Sequence, residues 1–149
     1  MSLSTNLLDA LSPENKIFVA FSGGLDSTAL LFLCNKALKQ KKIRNLKAIH
    51  INHNLSENSG NWEQHCESFC KSNNIEFKSF IIEVTKNRSS IESQARQERY
   101  KIFESLMDEN DQILLAHHRD DVFETILLRL FRGTAVSYTH LRAHETGGY

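Results

Sequence analysis

Three blocks of polar residues in this chain have types and spacing suited to phosphate chemistry. The first is Ser22-Gly23-Gly24-Leu25-Asp26-Ser27, which follows the apolar run Ile17–Phe21 and precedes a helix-like segment from Thr28 to Leu33. A strand, a glycine-hinged turn and a helix start make an anion site. Glycine lets the backbone approach a phosphate, and the first-turn N–H groups point at it. Ser22, Ser27 and Thr28 add hydroxyl donors. The stretch is not a GxxxxGK(S/T) loop, since it has no lysine. Asp26 would repel bare phosphate, so it points to a divalent cation between the two. Taken alone, the glycine pair also fits an ordinary turn.

The second block is His117-His118-Arg119-Asp120-Asp121-Val122-Phe123-Glu124-Thr125. Either aspartate could cap a helix, with Glu124 in its favourable first turn. Asp121 and Glu124 are three apart and would share a helical face. Two histidines and three carboxylates suit Mg²⁺ and a nucleotide, whereas the spacing fits no standard zinc site. The third block, Gln94–Tyr100, carries Arg96 and Arg99 at i, i+3. Glu92 precedes Arg96 by four and offers a surface ion pair. The alternative gives one arginine to a triphosphate, where a bidentate fork neutralises charge.

The elements that must position these blocks alternate. Strand-like runs lie at about Lys16–Phe21, Leu46–Asn52, Phe77–Val84 and Gln112–His117. Leu30, Leu33, Cys34, Ala37 and Leu38 share one face of the first helix. A second helix covers about Asn61–Asn73. A third starts at a capping box, Ser89-Ser90-Ile91-Glu92, and runs to about Met107. A fourth is expected after Asp120, with Val122, Ile126, Leu127 and Leu130 as its apolar face. Alternating βα units predict an α/β fold, a Rossmann-like parallel sheet with helices on both faces. All three blocks then fall near the carboxyl ends of strands, where such folds bind ligands. Residues Asn52–Gly60 read as a polar loop at the end of the second strand.

The 149 residues form one domain's worth of chain, with 18 basic and 18 acidic side chains. That balance lacks the field of a free-standing nucleic-acid binder. The cluster Lys36, Lys39, Lys41, Lys42 and Arg44 suits a helix C-terminus. No membrane span or signal peptide is legible. Three cysteines without secretory features predict reduced thiols and a cytoplasmic protein. Cys66 and Cys70, with Trp62 and Phe69, form one helical face expected to be core.

The Ser22–Ser27 stretch resembles the pyrophosphate loop of the N-type ATP pyrophosphatases, which implies that the Rossmann-like sheet is of the adenine nucleotide alpha hydrolase-like kind. These enzymes cleave ATP between the α and β phosphates and pass AMP to a substrate oxygen. Adding His50-Ile51-Asn52-His53-Asn54-Leu55, Ala95-Arg96, Arg99-Tyr100, and His117–Thr125 with Leu127-Leu128-Arg129-Leu130-Phe131-Arg132-Gly133-Thr134, the chain resembles the tRNA(Ile)-lysidine synthetase family over about residues 12–134. The resemblance implies ATP and Mg²⁺ as cofactors, and a CAU-anticodon tRNA(Ile) and free L-lysine as substrates. ATP would adenylate the C2 oxygen of the wobble cytidine, and the lysine ε-amine would displace AMP. It implies that Ser22, Gly23, Gly24, Leu25, Asp26 and Ser27 bind ATP. Asp26, Arg96 and Asp121 would be catalytic, with Mg²⁺ on Asp26 and Asp121. His53, His118 and Glu124 form a second tier. Asn52 departs from the family, where many relatives carry an acid.

Competing expectations are another pyrophosphate-loop enzyme, such as a tRNA thiolase or amide-forming ligase, and a non-catalytic nucleotide-binding module of this fold. A tRNA thiolase would usually need a Cys-x-x-Cys pair, which the sequence lacks. Residues 1–134 read as part of an N-terminal ATP-pyrophosphatase domain. Residues 135–149 do not continue the family pattern and resemble a translated sequencing adaptor. The expectation is therefore that further strands, lysine contacts and most of the tRNA surface lie outside this chain. The polypeptide alone would then bind ATP weakly or not fold cleanly, and would not turn over.

Overall fold

The computed structural model describes residues 3–54, 57–83, 91–119, 122–130 and 136–142, with side chains for 7–54, 57–83, 93–116 and 127–129. The elements in order are α1 (Leu3–Ala10), β1 (Ile17–Ala20), α2 (Leu25–Lys39), β2 (Leu46–Asn52), α3 (Ser59–Ser72) and β3 (Glu76–Ile81). They continue with α4 (Ile91–Leu106), β4 (Gln112–Arg119), β5 (Val122–Leu130) and β6 (Val136–Arg142). One six-stranded sheet runs β3-β2-β1-β4-β5-β6. The first four are parallel, with Ile17 in register with Leu46 on one side and Gln112 on the other. Strands β5 and β6 are antiparallel additions.

Each face has its own core. On one, Leu7, Phe21, Leu30, Leu31, Cys34 and Cys66 pack together from α1, α2, α3 and the sheet. On the other, Phe103 and Met107 at the end of α4 meet Phe18, Ile49, Ile113 and Leu128. The strand order reverses direction between β1 and β4, so a crevice opens at their carboxyl ends, directly above the turn after β1. Helices α2 and α3 stop at residues in the left-handed region. Lys41 has φ 62° and Asn74 φ 58°. Beyond them the Lys42 and Ile75 N–H groups donate back to the carbonyls of Ala37 and Cys70, at 2.9 and 2.8 Å. Lys36 and Lys39 lie in the last turn of α2, where cations complement the helix dipole.

The four expected strands and first three expected helices are present, with ends shifted by a few residues; the capping box at Ser89-Ser90 lies outside the described residues. Helix α1 had no sequence signal strong enough to single out. The expected fourth helix is instead strand β5. Val122, Ile126 and Leu130 are spaced by four, which fits one face of a helix and equally one face of a strand. The segment is rich in β-branched and aromatic residues, and the open edge of β4 offers unpaired N–H and C=O groups that it satisfies. As a strand it sends Leu127 to one core and Leu128 to the other. Among the described residues no helix is long and apolar enough to cross a membrane.

Candidate functional site

Strand β1 ends beneath the crevice, and the chain turns through Phe21 and Ser22 into Gly23, whose φ is +89°. Two constraints meet at Gly23. The left-handed backbone strains any L side chain, and a Cβ would lie 2.8 Å from Cys66 Sγ and 3.0 Å from the Trp62 ring. Gly24 differs. As the N-cap of α2 it has φ −74°, and an added Cβ would meet only Ser22 Oγ, at 3.5 Å. The buried Ser27 hydroxyl organises the turn, accepting from the Ser22 and Gly23 N–H groups at 3.1 and 3.2 Å and lying 2.9 Å from Ser22 Oγ. The first intrahelical bond is Thr28 N–H to the Gly24 carbonyl, 3.0 Å. The N–H groups of Leu25, Asp26 and Ser27 therefore have no partner within the helix, and they face the loop with the positive end of the helix dipole. Asp26 sits in this first turn.

A small cavity of about 190 Å³ opens on the α4 side of the loop, lined by Ser22, Ser27, His53, Arg99, Leu115 and Ala116. Arg99 lies on the stripe Ala95–Arg99–Phe103, spaced by four, so the face that packs on the sheet carries it into the crevice. Its Nε is buried and makes no hydrogen bond among the described residues. Burial lowers its pKa, yet an arginine remains charged. A guanidinium with a buried, unpartnered Nε beside first-turn N–H groups has the chemistry to hold an anion. Burial, and then the Arg99 charge and His50, hold the His53 imidazole below its ordinary pKa of 6.5, so it is neutral at pH 7. Arg96 is elsewhere. It is exposed and stacks on the Tyr100 ring with 5.4 Å from Cζ to the centroid, so the arginine at the crevice is Arg99.

On the other side, α3 braces the loop. The Trp62 indole N–H donates to the Ser22 carbonyl at 2.5 Å. Trp62 is 46% exposed, which corrects the reading of it as core; Cys66 and Cys70 are buried as expected. Burial pushes the thiols of Cys34 and Cys70 up to about 12 and that of Cys66 to about 11, so they remain protonated and inert. Buried His50 lies with Nδ1 2.9 Å from the Phe21 carbonyl, and because a carbonyl only accepts, Nδ1 carries the proton. Asn52 donates to Glu63 Oε1 at 2.9 Å and accepts from the Asn54 N–H at 2.8 Å, while Ser79 donates to Glu63 Oε2 at 2.9 Å. The amide where an acid was expected thus ties the end of β2 to α3. Glu63 and Trp62 were missed because their partners are distant in sequence.

Asp121 lies outside the described residues. His118 and Glu124 lie in the β4–β5 hairpin, where Glu124 is in register with His117, and His118 with Phe123. The argument that Asp121 and Glu124 share a helical face therefore does not hold. Among the described residues no group of three His, Cys, Asp or Glu side chains gathers as a metal site.

Fold and loop together define an α/β domain of the nucleotide-binding type, with a glycine turn between β1 and α2 at the crevice. The chain belongs to the PP-loop domain family, whose model matches residues 2–146. It is 44% identical over 134 residues to a protein named tRNA(Ile)-lysidine synthase from Legionella pneumophila (strain Lens), covering 90% of this chain and 30% of the relative. A protein of the same name from Pseudomonas syringae pv. tomato is 40% identical over 137 residues, covering 90% and 31%. The chain thus spans about 30% of the length of the curated relatives it matches. Among solved structures, the U34-tRNA thiolase NcsA from Methanococcus maripaludis with its 4Fe-4S cluster shares the fold. The TM-score is 0.60 at 24% identity, over 80% of this chain and 46% of that one.

Proposed function

We propose that this chain is the ATP-activating portion of a tRNA(Ile)-lysidine synthase. The observation that carries the reading is the Ser22–Ser27 turn at the β1/β4 crevice with Arg99, its buried Nε unpartnered among the described residues, lining the same cavity. The identity to lysidine synthases supports its particular form. In this reading the turn and the first-turn N–H groups of α2 hold the ATP phosphates. Arg99 takes the phosphate role first given to Arg96, because it is the arginine at the crevice. Mg²⁺ demands only one or two carboxylates when phosphate oxygens complete its shell. Asp26, an acid in the first turn of α2, fits that demand, with Asp121 assigned from the sequence alone. Such an ion supplies charge neutralisation at the departing pyrophosphate.

The C2 oxygen of the wobble cytidine in a CAU-anticodon tRNA(Ile) attacks the α-phosphorus of ATP and pyrophosphate leaves. The ε-amine of L-lysine then attacks C2, the C–O bond breaks, AMP leaves, and the amine sheds a proton. This chain's residues bind and orient ATP and neutralise the developing charge. The buried, protonated cysteines speak against sulfur chemistry.

ATP–pyrophosphate exchange on a full-length version, with and without tRNA and lysine, tests the reading. Exchange is expected to require tRNA. Exchange independent of tRNA, or ATP consumption with another acceptor in place of lysine, refutes it. The boundary near residue 134 belongs to the same proposal. A genomic reading frame that continues past codon 134 into family-like sequence supports it, and an identical native tail refutes it.

A further inference from the structure

A second and larger cavity, about 770 Å³, opens between the carboxyl end of β2 and the amino end of α3. It lies on the opposite side of the loop from Arg99, and Ser22, Ile51 and His53 line both. Its volume is that of a small-molecule site. Its chemistry is selective. Trp62 and His65 form a stacked pair, centroids 4.9 Å apart and rings 17° from parallel. Asn54 and Asn61 present amides, and among the described residues no Asp, Glu, Lys or Arg lines the wall. Among these described residues a triphosphate or a free amino acid finds no counter-ion. A neutral planar ring with donors and acceptors on its edge would find a stacking surface and amides to match it.

We propose that this cavity receives one unpaired nucleobase of the RNA strand, an inference that rests on the RNA-modifying reading above. Unstacked bases of single-stranded RNA bind on aromatic side chains and are read along their edges by polar groups. Trp62 suits that task, being about half exposed and anchored by its indole N–H on the Ser22 carbonyl. The same bond joins the cavity to the pyrophosphate loop, and Gly23 packs against the Trp62 ring. A base stacked there bears directly on the turn that holds ATP, so RNA engagement and ATP positioning are coupled through one side chain.

Trp62 is the only tryptophan, so intrinsic fluorescence reports this cavity alone. The 149-residue chain is titrated with a single-stranded hexaribonucleotide, with and without saturating ATP–Mg²⁺. ATP binding is followed separately by equilibrium dialysis of labelled ATP. A saturable quench that persists with ATP present is expected. Dialysis of labelled hexaribonucleotide should show affinity falling about tenfold in Trp62→Ala and in exposed His65→Ala, and little in Trp62→Phe. Loss of the quench on adding ATP would make the cavity part of the ATP site and overturn the inference. So would the absence of a saturable quench while labelled ATP still binds. Quenching retained without ATP binding would support the base site and refute the ATP assignment instead.

Discussion

Arg99 is a cation in an environment that does not favour one, and that placement has a measurable signature. A half-buried guanidinium whose buried Nε has no partner among the described residues costs stability until an anion meets it. Arg99→Met is therefore expected to leave the melting temperature unchanged or raise it. The same change should weaken ATP binding about 10- to 150-fold, as befits charge-assisted hydrogen bonds of about 1.5–3 kcal/mol. Arg96→Met, removing an exposed cation stacked on Tyr100, should alter ATP affinity by less than about twofold. Equilibrium dialysis with thermal denaturation reads both. The glycine pair divides similarly. Gly23→Ala, with φ +89° and a Cβ 2.8 Å from Cys66 Sγ, should destabilise by about 1–3 kcal/mol. Gly24→Ala, with φ −74° and 3.5 Å of clearance, should remain within about 0.5 kcal/mol of the parent. Urea denaturation of the two variants distinguishes them, and equal losses would contradict the different roles assigned here.

At the scale of elements, α3 is the brace of the site. Its Glu63 is held below the ordinary carboxyl value of 4.5, first by the Asn52 hydrogen bond, then against burial by Ser79 and the nearby His50. A depressed carboxyl contributes stability that is present above 4.5 and is lost as pH falls through its lower folded value. The urea midpoint is therefore expected to drop below pH 4.5, and Glu63→Gln should flatten that part of the profile. An unchanged profile would mean that the Asn52–Glu63–Ser79 network does not couple to folding. Strand β5 carries the other lesson at this scale. A four-residue spacing cannot choose between helix and strand, and the choice fell to the unpaired edge of β4.

In the whole molecule, the end of the sheet opposite the site is closed by one fully buried side chain. Gln112 accepts from the Ser12 N–H at 2.7 Å and donates to the Ala10 carbonyl at 2.9 Å, fastening the end of α1 to the base of β4. Beside it, buried Asp111 accepts from the backbone N–H groups of Lys16 and Asp108 at 3.0 and 2.8 Å, joining the starts of β1 and β4. Gln112→Ala leaves two backbone groups unpaired and should cost about 2–4 kcal/mol. In a chain of this size that lowers the melting temperature by roughly 4–16 °C. Differential scanning calorimetry checks it; a shift below 2 °C would contradict the role.

The parallel βα core and the glycine turn between β1 and α2 were determined by the sequence alone. Their signals are local: an apolar run, a glycine pair and a helix start, all within about twenty residues. The tertiary structure decided what local signals cannot carry. It brought Arg99 rather than Arg96 to the crevice, because only packing distinguishes the stripe through Ala95 and Phe103 from its neighbour. It turned Trp62 outward onto the Ser22 carbonyl and gave Asn52 a partner in Glu63. It made β5 a strand, because the edge that β5 completes exists only once β4 is in the sheet.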